Sequence, residues 1–505
     1  MPAPLLLAAT AVAASAAHEE DVPVVVDDPA TVVDSDAAAV DAAANVVEGA
    51  ADVVEGAANV VDSAASVVDA PARVVDGAAT VVEDAAAAPA AAAAAEPEAQ
   101  KKSGPEPGFT FSGIPAVNYI ADNGLGLGVI VAGYYNDGVT LPYRAAVTLQ
   151  LFVTTNLVQD HNLVVDVLKV ADQPLRLTGR VGFIGSLTQN YCGIGGNLSC
   201  DPAVAEDAAD ARDLSGDDKD AFVRNYYQRR FINPYGLLNA RYALVEKSAT
   251  APRVEVTAGY RGFYFVPGNP FADDDQDGAP DLTPYDGSLY QADFPDGEPG
   301  FSSVLNVGMM MDSRDNEPAP TEGWWSEISV RAATPFWLST WTYAGANLTL
   351  RGYKYLPVHP WLEKRLVLAN RLTFDGIVGE IPIQELARLG GSQDIYAFGG
   401  ADMGRGIRVQ RYLGKGKILN QTELRYRFAE VEVFEQQFAF TVAGFVDAAI
   451  VADELIAPKN VGTSAGGGGA FRIAWNENFV IRADLGVSPI ENWAPQLYIT
   501  INQPF

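Results

Sequence analysis

From Phe109 to Phe505 the chain is built of segments in which apolar and polar side chains strictly alternate, with full charges standing between aromatic residues. In LNQTELRYRF, Leu424, Tyr426 and Phe428 fall on one face and Gln421, Glu423, Arg425 and Arg427 on the other. FVIRADLG sets Arg482 and Asp484 against Phe479, Ile481 and Leu485. APQLYITINQPF sets Leu497, Ile499, Ile501 and Phe505 against Gln496, Tyr498, Thr500 and Asn502. Period two makes these strands. A soluble sandwich would bury such charges at high cost, whereas a sheet closed on itself turns one face to lipid and the other to a polar lumen. The expected fold is all-β, a 16-stranded antiparallel transmembrane β-barrel over residues 109–505.

The sixteen segments fall near 124–135, 143–156, 161–170, 175–189, 219–232, 235–248, 252–266, 300–313, 323–334, 340–356, 366–380, 416–431, 437–450, 467–475, 478–488 and 495–505. An even count puts both barrel ends in the periplasm and makes the long connections 267–299 and 381–415 extracellular. The same parity puts 190–218 on the periplasmic side, where connections are usually short. It also makes the segment with Gly124, Gly126, Gly128 and Gly133 the first strand, which closure pairs with the last. Gly-rich strands pack weakly. Glycines in barrels also relieve crowding and curvature.

Ahead of the barrel the texture differs. Residues 1–17, MPAPLLLAATAVAASAA, resemble a secretory signal cleaved after Ala16 or Ala17. Residues 18–108 form a second region, without Phe, Trp or Tyr. Within it a seven-residue unit recurs as VVEGAAD, VVEGAAN, VVDSAAS, VVDAPAR, VVDGAAT and VVEDAAA. If residues 32–88 were one helix they would reach roughly 85 Å, with Val and Ala on one stripe. Recurrent Gly and Pro71 oppose that helix. Two readings stay open: a coil or surface-lying helix tethering the barrel to a periplasmic or cell-wall partner, and an Ala-rich linker without fixed structure.

A net charge of -30 excludes a phosphate-binding surface and with it a nucleic-acid partner. After the N-terminus no apolar run is long enough for a membrane helix. The two cysteines, Cys192 and Cys200, sit close together, as a local disulfide of an oxidising compartment or as two thiols.

Several motifs, in this order, resemble the bacterial surface antigen family, the barrel shared by BamA, TamA and two-partner-secretion transporters. They are YCGIGGN from Tyr191, DSRDNEPAPTEG from Asp312, GRGIRVQRYLGKG from Gly404, TELRYRF from Thr422, FVDAA from Phe445 and GGGGAFRIAWNENFVIRADLG from Gly466. The resemblance implies an outer-membrane location, a loop before the twelfth strand that folds back into the lumen, and a lateral gate at the Gly-rich seam as one of its two readings. It implies that Arg405 and Gly406 at the loop tip dock on Glu423 and Asp447 of the wall. Parity agrees, since both acids lie on the inward face, and an Arg fork suits planar carboxylates. The last strand, with Tyr498, Ile499, Ile501 and Phe505, resembles the signal read by the outer-membrane assembly machinery. The chain departs from the family's insertases in having Val-Ala heptads where they carry client-capture modules.

Two further patterns remain. Asp273, Asp275, Asp277 and Asp281 match a D-x-D-x-D-G-x-x-D loop, which reads either as a calcium site or as a solvated acidic loop; no other cofactor is required. Gly462-Thr-Ser-Ala-Gly466 has the spacing of a nucleophile elbow but precedes a strand, and only His18, His161 and His359 are available as bases, so no enzyme is expected. The two functional expectations are a barrel that assists protein insertion or translocation, or lipid handling, and a structural or narrow-pore barrel tethered by its heptads.

Overall fold

The computed structural model describes residues 107–505 apart from 141, 197, 199, 249–250, 270–280, 318, 358–364, 393–397, 434–435, 476–478 and 502. The signal, the heptads, and Asp273, Asp275 and Asp277 lie outside the described residues. Sixteen strands close into an antiparallel barrel in which each pairs with its neighbours in sequence and the first meets the last. They are β1 (Gly108–Ile120), β2 (Gly124–Asn136), β3 (Ala145–Thr154), β4 (Gln159–Val167), β5 (Leu175–Asn190), β6 (Gln228–Val245), β7 (Arg253–Pro267) and β8 (Gly300–Asp312). The second half is β9 (Gly323–Ala333), β10 (Tyr343–Tyr355), β11 (Leu366–Gly379), β12 (Gly416–Val433), β13 (Gln436–Ala452), β14 (Val461–Trp475), β15 (Phe479–Val487) and β16 (Gln496–Ile501).

The total of sixteen was reached through two errors that cancel. Residues Gly108–Ile120 form the first strand, which the sequence reading omitted because Gly113 and Pro115 interrupt its pattern. Proline is confined to edges in sheets because it cannot donate to a ladder, and here Pro115 pairs with Val129 of β2 on a stretch of β1 with no registered partner in β16. The segment 219–232 is not a separate strand. Residues 219–226 belong to helix α2 (Gly216–Tyr226), which follows α1 (Pro202–Asp210) in the connection from β5 to β6, and 228–232 open β6. Asp217 and Asp218 occupy its first turn and Arg224 its last, the favourable ends of the helix dipole. Phe222 and Tyr226, one turn apart, bring their rings to 5.8 Å. The alternation there was accidental.

The correction moves residues 190–218 to the other end of the barrel. Connections 191–227, 268–299 and 380–415 now emerge together, at the end expected to be extracellular, and the awkward long periplasmic connection disappears. The Gly-rich strand is β2, which pairs with β1 and β3 rather than with β16.

The alternation itself holds along the wall. Leu424, Ile481, Leu485, Leu497, Ile499 and Ile501 are exposed on the outside, while Glu423, Arg482, Asp484 and Tyr498 are buried inside. Phe505 departs from its expected outward face. β16 ends at Ile501, and the tail turns inward, burying Phe505 beside Tyr353 and Ala369. A ring four residues past a strand's last outward position no longer obeys the strand's parity.

Candidate functional site

Residues 380–415 leave β11, enter the lumen and return to β12. At the entry Glu385 is fully buried, bonded to Arg261 and 3.6 Å from Arg331. Farther on, Leu389, Phe398, Met403, Ile407 and Tyr412 pack on the wall residues Leu419, Ala449 and Val451. The loop thus brings its own apolar core into an otherwise polar interior. Burial of that core offsets the entropy of ordering the loop.

The tip carries Arg405. Its Nη1 donates to Glu423 Oε1 at 2.6 Å, its Nε to Asp447 Oδ2 at 2.9 Å, its Nη2 to Asp447 Oδ1 at 3.0 Å, and its backbone N–H also to Asp447 Oδ2 at 2.9 Å. The guanidinium stacks 3.6 Å from the centre of the Phe445 ring. All three charged side chains are fully buried. The residues that the family resemblance joined are therefore in direct contact. Charge-assisted two-point bonds of this kind fix geometry as well as adding energy.

Sequence reasoning missed the rest of the cluster. Glu423 also accepts from Arg425 Nε at 2.7 Å and from Arg472 Nη1 at 2.9 Å. Asp484 lies 3.7 Å from Arg405 and 2.9 Å from Arg482, whose other arm reaches Asp402 of the loop at 2.6 Å. Four buried guanidiniums thus meet three buried carboxylates and the exposed Asp402 of the loop. Inward parity marked Arg425, Arg482 and Asp484 but not Arg472, and only the topology shows that β12 to β15 present them at one level.

Gly406 adopts φ +88°, where a side chain is strained, and a Cβ there would meet the backbone of Val487 at 2.7 Å. Its N–H donates to Tyr498 Oη at 3.0 Å. Tyr498, expected within the assembly signal, is thereby also a wall contact of the loop. Across from it, Gly466 of the glycine run leaves no room for a Cβ, which would sit 2.0 Å from Arg405 O.

Past the tip the loop reaches the first strand pair. Val409 N–H donates to Asp122 in the turn between β1 and β2, and Val409 O accepts from Asn190 Nδ2 at 3.2 Å. Burial raises the Asp122 carboxyl to about 6, against the lowering pull of the Val409 N–H and the Arg408 guanidinium, with Glu491 adding to the rise. Through Tyr498 and Asp122 the loop grips both sides of the junction between β16 and β1.

Among the described residues, that junction has the fewest pairs in the wall: β1 and β16 share only Tyr119↔Ile499 and Ile120↔Tyr498. β1 and β2, by comparison, pair from Gly108↔Asn136 to Ile120↔Gly124.

Elsewhere, Cys192 and Cys200 form a disulfide in the 191–227 connection. Of the candidate calcium ligands only Asp281 is described, and its carbonyl accepts from Asn269 N–H at 2.7 Å. Among the described residues no group of three or more His, Cys, Asp or Glu could hold a metal ion. Ser464 of the Gly462–Gly466 pattern lies within β14, with no elbow.

Residues 280–488 match the Omp85 superfamily domain. Among solved structures, the chain is similar to BamA from Haemophilus ducreyi lacking POTRA domains 1–3, at 13% identity and TM-score 0.44, over 78% of this chain and 70% of that one. It is also similar to CdiB from Escherichia coli (11% identity, TM-score 0.46, 79% of this chain and 63% of that one) and CdiB from Acinetobacter baumannii (12%, 0.42, 78% and 59%). No curated protein matches the chain.

Proposed function

For an outer-membrane barrel that carries an Omp85 superfamily domain over residues 280–488, we propose assistance in inserting or translocating polypeptide strands, with the junction of β1 and β16 as the working edge. One observation carries the reading. On the side facing β16, residues 108–118 of β1 have no registered strand partner among the described residues. In hydrocarbon each unsatisfied backbone group costs several kcal/mol, so this edge has a strong drive to pair. An incoming strand supplies N–H and C=O groups at the required spacing. The lumen loop clasps the junction at its extracellular end, and releasing that clasp lets a client pair along the whole edge.

The experiment is a reversible lock across the junction. Tyr119→Cys with Ile499→Cys places two cysteines at directly paired positions. Oxidised double variant in proteoliposomes should lose insertion of an outer-membrane client, scored by protease protection, and reductant should restore it. Single-cysteine variants, which experience the same treatment of Cys192–Cys200, should be unaffected. Equal insertion by the oxidised and reduced double variant would overturn the reading.

A further inference from the structure

Arg371 keeps different company from the arginines around Glu423 and Asp375. Arg331, Arg405, Arg425, Arg472 and Arg482 each contact a carboxylate. Arg371 of β11 is 1% exposed, yet its partners among the described residues are all neutral. Nε donates to Gln421 Oε1 at 2.7 Å, and Nη2 reaches Asp402 O and Met403 Sδ, each at 2.6 Å. The guanidinium carbon lies 5.2 Å from the centre of the Phe505 ring. Among the described residues, Nη1 is buried with no hydrogen-bond partner. Asp402 and Asp447 act on it only from a distance, and a buried cation without a contacting carboxylate is costly.

Arg371 also lines a small enclosed space, together with Arg351, Thr349, Thr373, Glu327 and Met403. The space holds roughly one water-sized particle. Arg351 stands directly opposite Arg371 on β10, and like charges facing each other across a ladder are unfavourable. Thr373 meets Thr349 only through a long 3.2 Å hydroxyl contact, so its O–H can turn toward an occupant. Glu327 is the opposing member of the wall. Its carboxylate is already engaged by Ser392 Oγ at 2.9 Å and by Ser392 N–H.

We propose that this space is a site for a small monovalent anion of halide size, held by Arg371 Nη1 and the Thr373 hydroxyl. Two protons pointing at one compact anion satisfy Arg371's leftover donor and neutralise its charge. A water molecule would do only the first. Because Arg371 simultaneously grips Asp402 and Met403 of the loop, Gln421 of β12 and the Phe505 ring, an anion there stabilises the loop and the inward tail together.

The test uses the full chain in detergent. The midpoint of its heat-modifiable gel shift is measured in sodium chloride, bromide and gluconate at matched ionic strength. The expected result is a saturable upward shift in both halides over gluconate, lost in Arg371→Met and retained in Arg241→Met, a lumen arginine already paired with Glu255. If Arg371→Met does not fold, Thr373→Val should weaken the halide titration several-fold. Bromide-soaked crystals should give an anomalous peak beside Arg371. Equal midpoints in halide and gluconate, a halide shift that survives Arg371→Met or Thr373→Val, or a water without anomalous signal at the site would each overturn the proposal.

Discussion

The wall at β12 and β13 and the junction of β16 with β1 belong to the same sheet but are built in opposite ways. The first pairs continuously from Gly416↔Ala452 to Val433↔Gln436, apart from one bulge between Arg427 and Ala429, and carries Glu423 and Asp447 on its inner face. The second has two residue pairs, and its other ties come from the loop through Tyr498 and Asp122. Ladder bonds form a rigid anchor on one side. Individual side-chain contacts, each worth about 1 kcal/mol net, form a releasable clasp on the other. The loop rooted in the anchor is placed to govern the clasp.

Proline substitution breaks this comparison most severely. Val446 lies between β12 and β14, paired to Thr422 and Gly467, so Val446→Pro removes a ladder donor inside a membrane wall. The folded, heat-modifiable band should disappear. Val117 has the parity of Pro115 and no registered partner in β16, so Val117→Pro should leave that band near its wild-type amount. Loss of folding in both variants would show that the β1 edge is paired in the bilayer.

Arg405→Ala comes next in size. Glu423 keeps Arg425 and Arg472, whereas Asp447 loses both guanidinium bonds and, among the described residues, keeps only the backbone N–H of residue 405. Breaking such a buried pair typically costs about 3 to 5 kcal/mol. Protease should then cut within 380–415 while the barrel remains folded, and Arg405→Lys should restore charge but only part of the protection. Identical protection in all three proteins would mean that the apolar core around Phe398 and Ile407 holds the loop alone.

The wall was legible in the sequence because lipid and lumen impose opposite chemistry on successive residues, and Glu423, Arg425, Arg482 and Asp484 kept that parity. The Arg405 contact was legible only through the family's motifs, since no local pattern tells a loop that it re-enters a barrel. Three features were hidden for physical reasons. β1 carries a proline that only an open edge tolerates, α2 mimics alternation over a few residues, and Phe505 lies beyond the strand whose period was used to orient it. Arg472 and Arg371 stand in segments legible as strands, but what each meets in the lumen depends on strand stagger, which the sequence does not encode locally.

Gly466→Ala is a smaller perturbation of the anchored side. The new methyl would sit 2.0 Å from Arg405 O, whereas at Gly469 the nearest atom is Ala443 O at 3.9 Å. Overpacking of this kind costs about 1 to 3 kcal/mol. Gly466→Ala should raise protease access to the loop and Gly469→Ala should not. Combined with Arg405→Ala the two effects should fall short of additive, because both displace the same tip.

The mildest prediction concerns the clasp and pH. With the loop docked, burial raises the Asp122 carboxyl to about 6, above its ordinary range, and released it should titrate normally. The docked state therefore binds a proton more readily than the released state. Its added stability is complete below the ordinary carboxylate pKa and is lost as pH rises through about 6. Docking should accordingly tighten between pH 7.5 and pH 5, even though Arg408 favours the charged form and Glu491 opposes it. The Val409 amide reports the contact directly, because its hydrogen is the one donated to Asp122. Its exchange, corrected for intrinsic rate, should be slower at the lower pH in the wild type. Asp122→Asn keeps an acceptor oxygen but cannot titrate, so its corrected exchange should not vary with pH over this range. The same pH slope in both proteins would assign the effect to Glu491 or to another group and leave the clasp insensitive to pH.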